Sequence, residues 1–303
     1  MDLPTPLEKA PDSIAEGRPV FLKREDTHAL GAFKWRGALP TLEAYRARGA
    51  RGVVTASTGN HGAATGWAAA RLGLEATVFV PEGASRAKVA LIAAQGAAIR
   101  ETGADFDRAK DAARDFAAEG GLPFFEDGDE PVQWDGYGAI AKEILDQCPE
   151  PPAAVIVPVG NGALIGGIGG LLRELSPGTL VVGAVARDAP VMEMSWRAGR
   201  VVSCDRMATF ADGLAVRVAI PRAVERLNAT VDRMELVSER AIARAMGRFA
   251  QVGIRVEGGA AAALAALPGA DGASGPIVLV VTGRNIDEEV FRRACERPES
   301  FAA

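Results

Sequence analysis

The chain lacks most of what a metal-bound or disulfide-stapled scaffold needs. Its three cysteines, Cys148, Cys204 and Cys295, are widely spaced and form no CxxC pair, so no disulfide framework is predicted. Histidine occurs only at His28 and His61, too few to complete a Cys/His zinc site, and no metal is predicted. No apolar run is long enough to span a membrane. The opening Met1-Asp2-Leu3-Pro4 has no basic region followed by an apolar core, so no secretory leader is predicted. No block of like charge marks a nucleic-acid or membrane surface, and the formal net charge is only −5. Together these absences predict a soluble cytoplasmic protein with free thiols.

Lysine is also scarce. Of 34 basic residues only six are lysines, and none follows Lys142. That scarcity singles out Lys34, in the stretch Ala32-Phe33-Lys34-Trp35-Arg36-Gly37-Ala38. An aromatic sleeve would desolvate the ammonium and favour a neutral amine able to attack a carbonyl. The alternative is a surface lysine whose stem lies along the rings. A chain that so prefers arginine for its surface favours the first reading.

At 303 residues and 48% hydrophobic content, the chain can bury one large core or two smaller ones. Strand and helix alternate along it. Strands are predicted at residues 18–23, 52–55, 76–80, 97–100, 154–158, 180–184, 231–237 and 276–281. Helices are predicted at 36–46, up to 72, 85–95, 105–118, 138–147, 191–198 and 238–252, with an alanine-rich helix after Glu257-Gly258-Gly259 and a final helix. This alternation implies a parallel α/β sheet with helices on both faces. The Pro-, Gly- and acid-rich stretch from Gly120 to Gly136 is predicted to end at a domain junction.

Three strands open into small-residue turns, after Thr55, Val159 and Val281. Such turns collect anions through backbone N–H groups and helix N-termini. The turn Gly160-Asn161-Gly162-Ala163-Leu164-Ile165-Gly166-Gly167 suits a phosphate, although the same glycines also serve close helix–sheet packing. Its spacing resembles a variant dinucleotide fingerprint, with Arg187 placed for a 2′-phosphate, but that reading leaves Lys34 without a role. Ser57-Thr58-Gly59-Asn60-His61 crowds polar groups onto a helix start. Each of them can be a simple cap; together they suit a substrate carboxylate.

Taken in order, these segments resemble the fold-type II (tryptophan synthase β-like) pyridoxal-phosphate enzymes, in particular the threonine/serine dehydratases and serine racemases. The residues that carry the resemblance are Thr5-Pro6-Leu7, Phe21-Leu22-Lys23-Arg24-Glu25-Asp26, Phe33-Lys34-x-Arg36-Gly37-Ala38, Ser57-x-Gly59-Asn60-His61-Gly62, the 160–162 glycine loop, Ala211-Asp212-Gly213 and Gly283-x-Asn285.

The resemblance implies a two-domain α/β fold of open twisted, mostly parallel sheets. Residues 1–38 and 137–303 would form a large cofactor-binding domain and 39–136 a small one, with pyridoxal 5′-phosphate in the cleft. It implies that Lys34 forms the Schiff base, that Phe33 flanks the ring and that Asn60 bonds the phenolic oxygen. Gly160, Asn161, Gly162, Ala163 and Leu164 would bind the phosphate, and Thr282 would face the pyridine nitrogen. Ser57, Thr58, Gly59 and His61 would hold the substrate. The implied reaction is dehydration and deamination of a small β-hydroxy amino acid, such as L-threonine or L-serine, with racemisation and β-replacement as alternatives. The implied partner is a small amino acid, with a homodimer left open.

Several residues depart from the family pattern. Ala32 precedes Phe-Lys where Ser is usual, Asn161 and Ala163 interrupt a glycine run, Tyr137 replaces a frequent Gln, and Arg284 replaces a frequent Gly. Thr58 stands where racemases place the serine that reprotonates the substrate from the face opposite the lysine.

Overall fold

The computed structural model of the protein describes residues 4–205 and 207–303. They fall into two compact units. One joins the N-terminal segment up to Ala32 with Tyr137–Ala303, and the other is Phe33–Gly136. Among the described residues the strands, in chain order, are β1 Leu7–Lys9, β2 Val20–Arg24, β3 Gly52–Ala56, β4 Glu75–Val80, β5 Ala98–Glu101, β6 Ala154–Pro158, β7 Leu180–Ala186, β8 Arg233–Val237 and β9 Ile277–Val281.

The first unit carries a six-stranded sheet in the order β1-β2-β9-β6-β7-β8. Only the β1–β2 pair is antiparallel. All five residues of β6 and of β9 are buried, which is why both strands read as uninterrupted apolar runs rather than alternating ones. The alanine-rich helix Gly258–Ala265 shares a core with Ile156, Val182 and Leu279, its small side chains allowing close approach.

The second unit carries a three-stranded parallel sheet, β3-β4-β5. Its helices include Trp35–Ala47, Asn60–Leu72 and Phe106–Gly120. Asp105 caps the last of these by accepting from the Arg108 N–H at 2.9 Å, and Gly121 closes it in the left-handed conformation at φ 59°.

The structure departs from the sequence expectations in several places. The Pro- and acid-rich stretch taken as loop to Gly136 already contains the start of a helix, Pro131–Gln147, which begins seven residues before its predicted start at 138. Proline suits a first helical position, so Pro131 starts the helix rather than breaking it. Gly136 lies inside that helix because a Cβ there would sit 2.1 Å from the Arg36 carbonyl oxygen. Helix Pro221–Thr230 and strand β1 were not anticipated; the helix again starts with proline, and three-residue β1 is too short to show a period. Ser238, by contrast, caps helix Glu239–Gln251 as predicted, accepting from the Ala241 N–H at 3.2 Å. Among the described residues no helix is long and apolar enough to cross a membrane, no cluster of His, Cys, Asp and Glu could hold a metal, and the three cysteines are free.

Candidate active site

Each unit holds part of the predicted site. In the second unit, Lys34 sits immediately before helix Trp35–Ala47. Phe33 and Trp35 are both buried, and the Lys34 Nζ lies 5.1 Å from the Phe33 ring centroid. The expected aromatic sleeve is only part of its surroundings. Nζ donates to Asp127 Oδ2 at 2.6 Å, and the side chain is 16% exposed, so a carboxylate is the partner of the amine. The Trp35 ring is occupied by Arg36, whose guanidinium carbon lies 4.6 Å from its centroid.

Asp127 went unnoticed in the sequence, where it is one acid among several in an acidic loop. The structure makes it a hub. Its Oδ1 accepts from Gln133 Nε2 at 2.7 Å and lies 3.5 Å from His61 Nδ1. Gln133 is itself fixed by accepting from the Gly128 N–H at 2.8 Å. Burial would raise the Asp127 carboxyl, but the charges of Lys34 and His61 and the hydrogen bonds from Lys34 and Gln133 outweigh it and hold it well below the usual carboxylate range.

The Ser57–Gly62 turn follows buried strand β3 and leads into helix Asn60–Leu72. Ser57 Oγ accepts from the Gly59 N–H at 3.2 Å. The N-cap residue is Gly59, which has no side chain to cap the helix. Thr58, Gly59 and Asn60 are half-buried, whereas His61 is buried. Thr55 Oγ1 lies 2.8 Å from the Phe125 carbonyl oxygen and is hydrogen-bonded to His61 Nε2 at 3.0 Å. Desolvation holds the imidazole below its ordinary range, helped by the Lys34 charge and opposed by Asp127, the Phe125 carbonyl and Glu126.

In the first unit, β6 leads into Gly160-Asn161-Gly162 and helix Ala163–Leu175. Gly162 has φ +89°, a conformation side chains rarely adopt, and provides no side-chain cap. Gly160 is required by close approach: a Cβ there would lie 2.3 Å from the Gly213 carbonyl oxygen, inside the Ala211-Asp212-Gly213 segment. Two of the motifs therefore meet here backbone to backbone. Asn161 Oδ1 accepts from the Ala163 N–H at 3.1 Å, engaging one of the amides expected to face an anion. Leu164 is buried in the first turn of the helix. A left-handed glycine before a thirteen-residue helix with no side-chain cap fits a phosphate ester.

Thr282 immediately follows β9 and is buried. Beside it, Gly283 has no room for a side chain, since a Cβ would lie 2.8 Å from Glu257 Oε1. Glu257 is a further residue the sequence reading left without a role, although an acid just before Gly258-Gly259 and an alanine-rich helix was a visible signal. Arg284 is exposed, and its N–H donates to the Gly31 carbonyl at 2.9 Å.

The sequence profile of a family described as pyridoxal-phosphate dependent enzyme matches residues 2–283. The chain is 36% identical to an L-threonine ammonia-lyase of Geobacter sulfurreducens over 285 residues, 93% of this chain and 71% of that one. The processed form of threonine deaminase isoform 2 from Solanum lycopersicum superposes with a TM-score of 0.92 at 29% identity, covering 97% of this chain and 88% of that one. Maize serine racemase superposes with a TM-score of 0.88 at 26% identity, covering 98% and 93%.

Proposed function

The chain belongs to the family of pyridoxal-phosphate dependent enzymes, and from that membership we propose that it dehydrates and deaminates L-threonine or L-serine to an α-keto acid and ammonia. The observation that carries the reading is the 36% identity to an L-threonine ammonia-lyase across 93% of the chain. That span includes Lys34 in its Phe-Lys-x-Arg-Gly-Ala setting.

Bound pyridoxal phosphate supplies an electron sink that acidifies the α-proton of an amino acid and lets a β-substituent leave. Lys34 would hold the cofactor through Nζ and, once displaced by substrate, take the α-proton at that same nitrogen. Gly160, Asn161, Gly162, Ala163 and Leu164 would bind the phosphate through backbone N–H groups. Asn60 would bond the phenolic oxygen, and Phe33 would flank the ring. Thr282 would meet the pyridine nitrogen with a neutral hydroxyl, which cannot hold a pyridinium proton as a carboxylate would; this limits charge delocalisation and favours elimination over transamination. Ser57, Thr58 and Gly59 would hold the substrate carboxylate. The His61 ring is turned toward Thr55 and Asp127, so His61 would join them through its backbone N–H.

The three free cysteines support a cytoplasmic setting.

The test is to incubate protein and pyridoxal phosphate with the L- and D-forms of threonine and serine, assaying keto acid, ammonia and the opposite enantiomer. Keto acid and ammonia in equal amounts from an L-substrate is the expected result. Mainly the opposite enantiomer would make the protein a racemase, and no product from any of the four would overturn the reading.

A further inference from the structure

Glu239 opens helix Glu239–Gln251 and is 4% exposed, yet its carboxylate is engaged through one oxygen only. Oε2 accepts from the Phe210 N–H at 2.9 Å and from the Thr209 hydroxyl at 3.1 Å. Oε1 is buried with no hydrogen-bond partner among the described residues. Burial pushes the carboxyl above its ordinary range; the bonds from Phe210 and Thr209 oppose the push, and the charge of Asp188 adds to it. A buried oxygen left unpaired costs free energy, so an acid kept at this position calls for a compensating role.

What Oε2 holds is the approach to the Ala211-Asp212-Gly213 segment. Thr209 Oγ1 in turn accepts from the Ala211 N–H at 3.1 Å, and the Ala208 N–H donates to the Asp188 carbonyl at 2.9 Å. The Phe210 and Phe301 ring centroids lie 4.5 Å apart. A Cβ on Gly258 would lie 3.0 Å from Ala211 Cβ, and one on Gly160 would lie 2.3 Å from the Gly213 carbonyl oxygen. That last contact is backbone against backbone, with no flexible side chain to absorb a shift. A displacement of residues 209–213 must therefore be felt at Gly160.

We propose that Glu239 is a positioning residue for the turn at residues 160–164. Its Oε2 fixes Thr209 and Phe210, and the Gly213 carbonyl passes that placement on to Gly160. The coupling lies wholly within the first unit. Its consequence for the cofactor rests on the reading of this turn as the phosphate site.

Three variants test the assignment. Glu239→Gln keeps an oxygen acceptor at the same reach, Glu239→Ala removes it, and Thr209→Val removes the hydroxyl at nearly constant volume. Each is compared with wild type by amide hydrogen exchange of the cofactor-free protein, read in peptides covering 209–214 and 158–167. Each is also titrated with pyridoxal phosphate and with pyridoxal, which lacks the phosphate. Glu239→Ala should speed exchange in both peptides. It should weaken pyridoxal phosphate about tenfold, the worth of a hydrogen bond to a charged group, and leave pyridoxal within about twofold. Glu239→Gln should keep most of the wild-type affinity, and Thr209→Val should show the same selective loss in smaller measure. If Glu239→Ala does not fold, Thr209→Val carries the test. Faster exchange at 209–214 with 158–167 unchanged overturns the proposal. So does an equal loss of both ligands, which would be general destabilisation, and so does a Gln variant as impaired as Ala. A wild type that binds pyridoxal phosphate no more tightly than pyridoxal would bring down the phosphate assignment and the proposed function, while the exchange data would still decide the coupling.

Discussion

The Asn285 side-chain amide donates to the Leu30 carbonyl at 2.7 Å, across 255 residues of chain. A Cβ on Gly31 would lie 2.5 Å from the Asn285 side-chain oxygen, and Gly31 has φ +66°. The Gly283-x-Asn285 motif thus holds the segment that delivers Lys34, and the antiparallel bridge Ala32–Gly283 adds a second tie. Asn285→Ala should cost about 1 kcal/mol of stability, the worth of a typical hydrogen bond. It should also slow cofactor labelling of Lys34; thermal melts and labelling yield check both.

Lys34→Ala should abolish covalent attachment of pyridoxal phosphate. Borohydride treatment of wild type should fix the cofactor on the peptide containing Lys34, and the variant should show none by mass spectrometry. A label of equal yield on another peptide would move the active lysine elsewhere.

Gly162→Ala places a side chain at φ +89°, with its Cβ 3.1 Å from Met192 Cε and 3.2 Å from Leu227 Cδ1. The left-handed conformation alone should cost about 1–2 kcal/mol. Because the strain falls on the turn assigned to the phosphate, cofactor retention on dialysis should fall as well. Full retention in a destabilised variant would place the phosphate elsewhere.

Under the proposed function, Thr58 is the residue expected to decide between elimination and racemisation. Its methyl group should hinder proton delivery to the substrate face opposite Lys34, so Thr58→Ala should keep most keto-acid formation and Thr58→Ser should raise any racemase side activity. The quantity to follow is the ratio of D-amino acid to keto acid from one L-substrate. Loss of a dominant racemase activity in Thr58→Ala would reverse the assignment.

Acid should destabilise the fold in two separable stages. His61 is held below its ordinary range, so the unfolded chain binds its proton first and stability should fall as pH drops below about 6.5. Asp127 is held below the carboxylate range; its contribution is intact above about pH 4 and should be lost only as pH falls further. Melting temperatures of His61→Gln should therefore fall less than those of wild type between pH 7 and 5, and those of Asp127→Asn should fall less below pH 4. Parallel curves for all three proteins would mean that neither group is linked to folding as described.

Much of the fold was legible because its signals are local. The buried strands β6 and β9 show as apolar runs, Ser238 announces a helix start, and the small-residue turns mark where strands give way to helices. Helix Pro131–Gln147 was misplaced because its sequence carries two interior glycines and an opening proline, residues whose local meaning is the opposite of helix. Only the proximity of the Arg36 backbone explains why Gly136 belongs there.

The sequence by itself singled out one lysine among six, placed the glycine turns and pointed to the family, since those features are fixed by residue type and spacing along the covalent chain. Tertiary structure alone decided what Lys34 touches. Its partner Asp127 lies 93 residues away, and His61 reaches that carboxylate only because β3 and the Phe125 segment fix its other nitrogen on Thr55. Contacts of that kind have no period and no local propensity to betray them; they exist because burial makes polar groups find partners wherever packing brings them together.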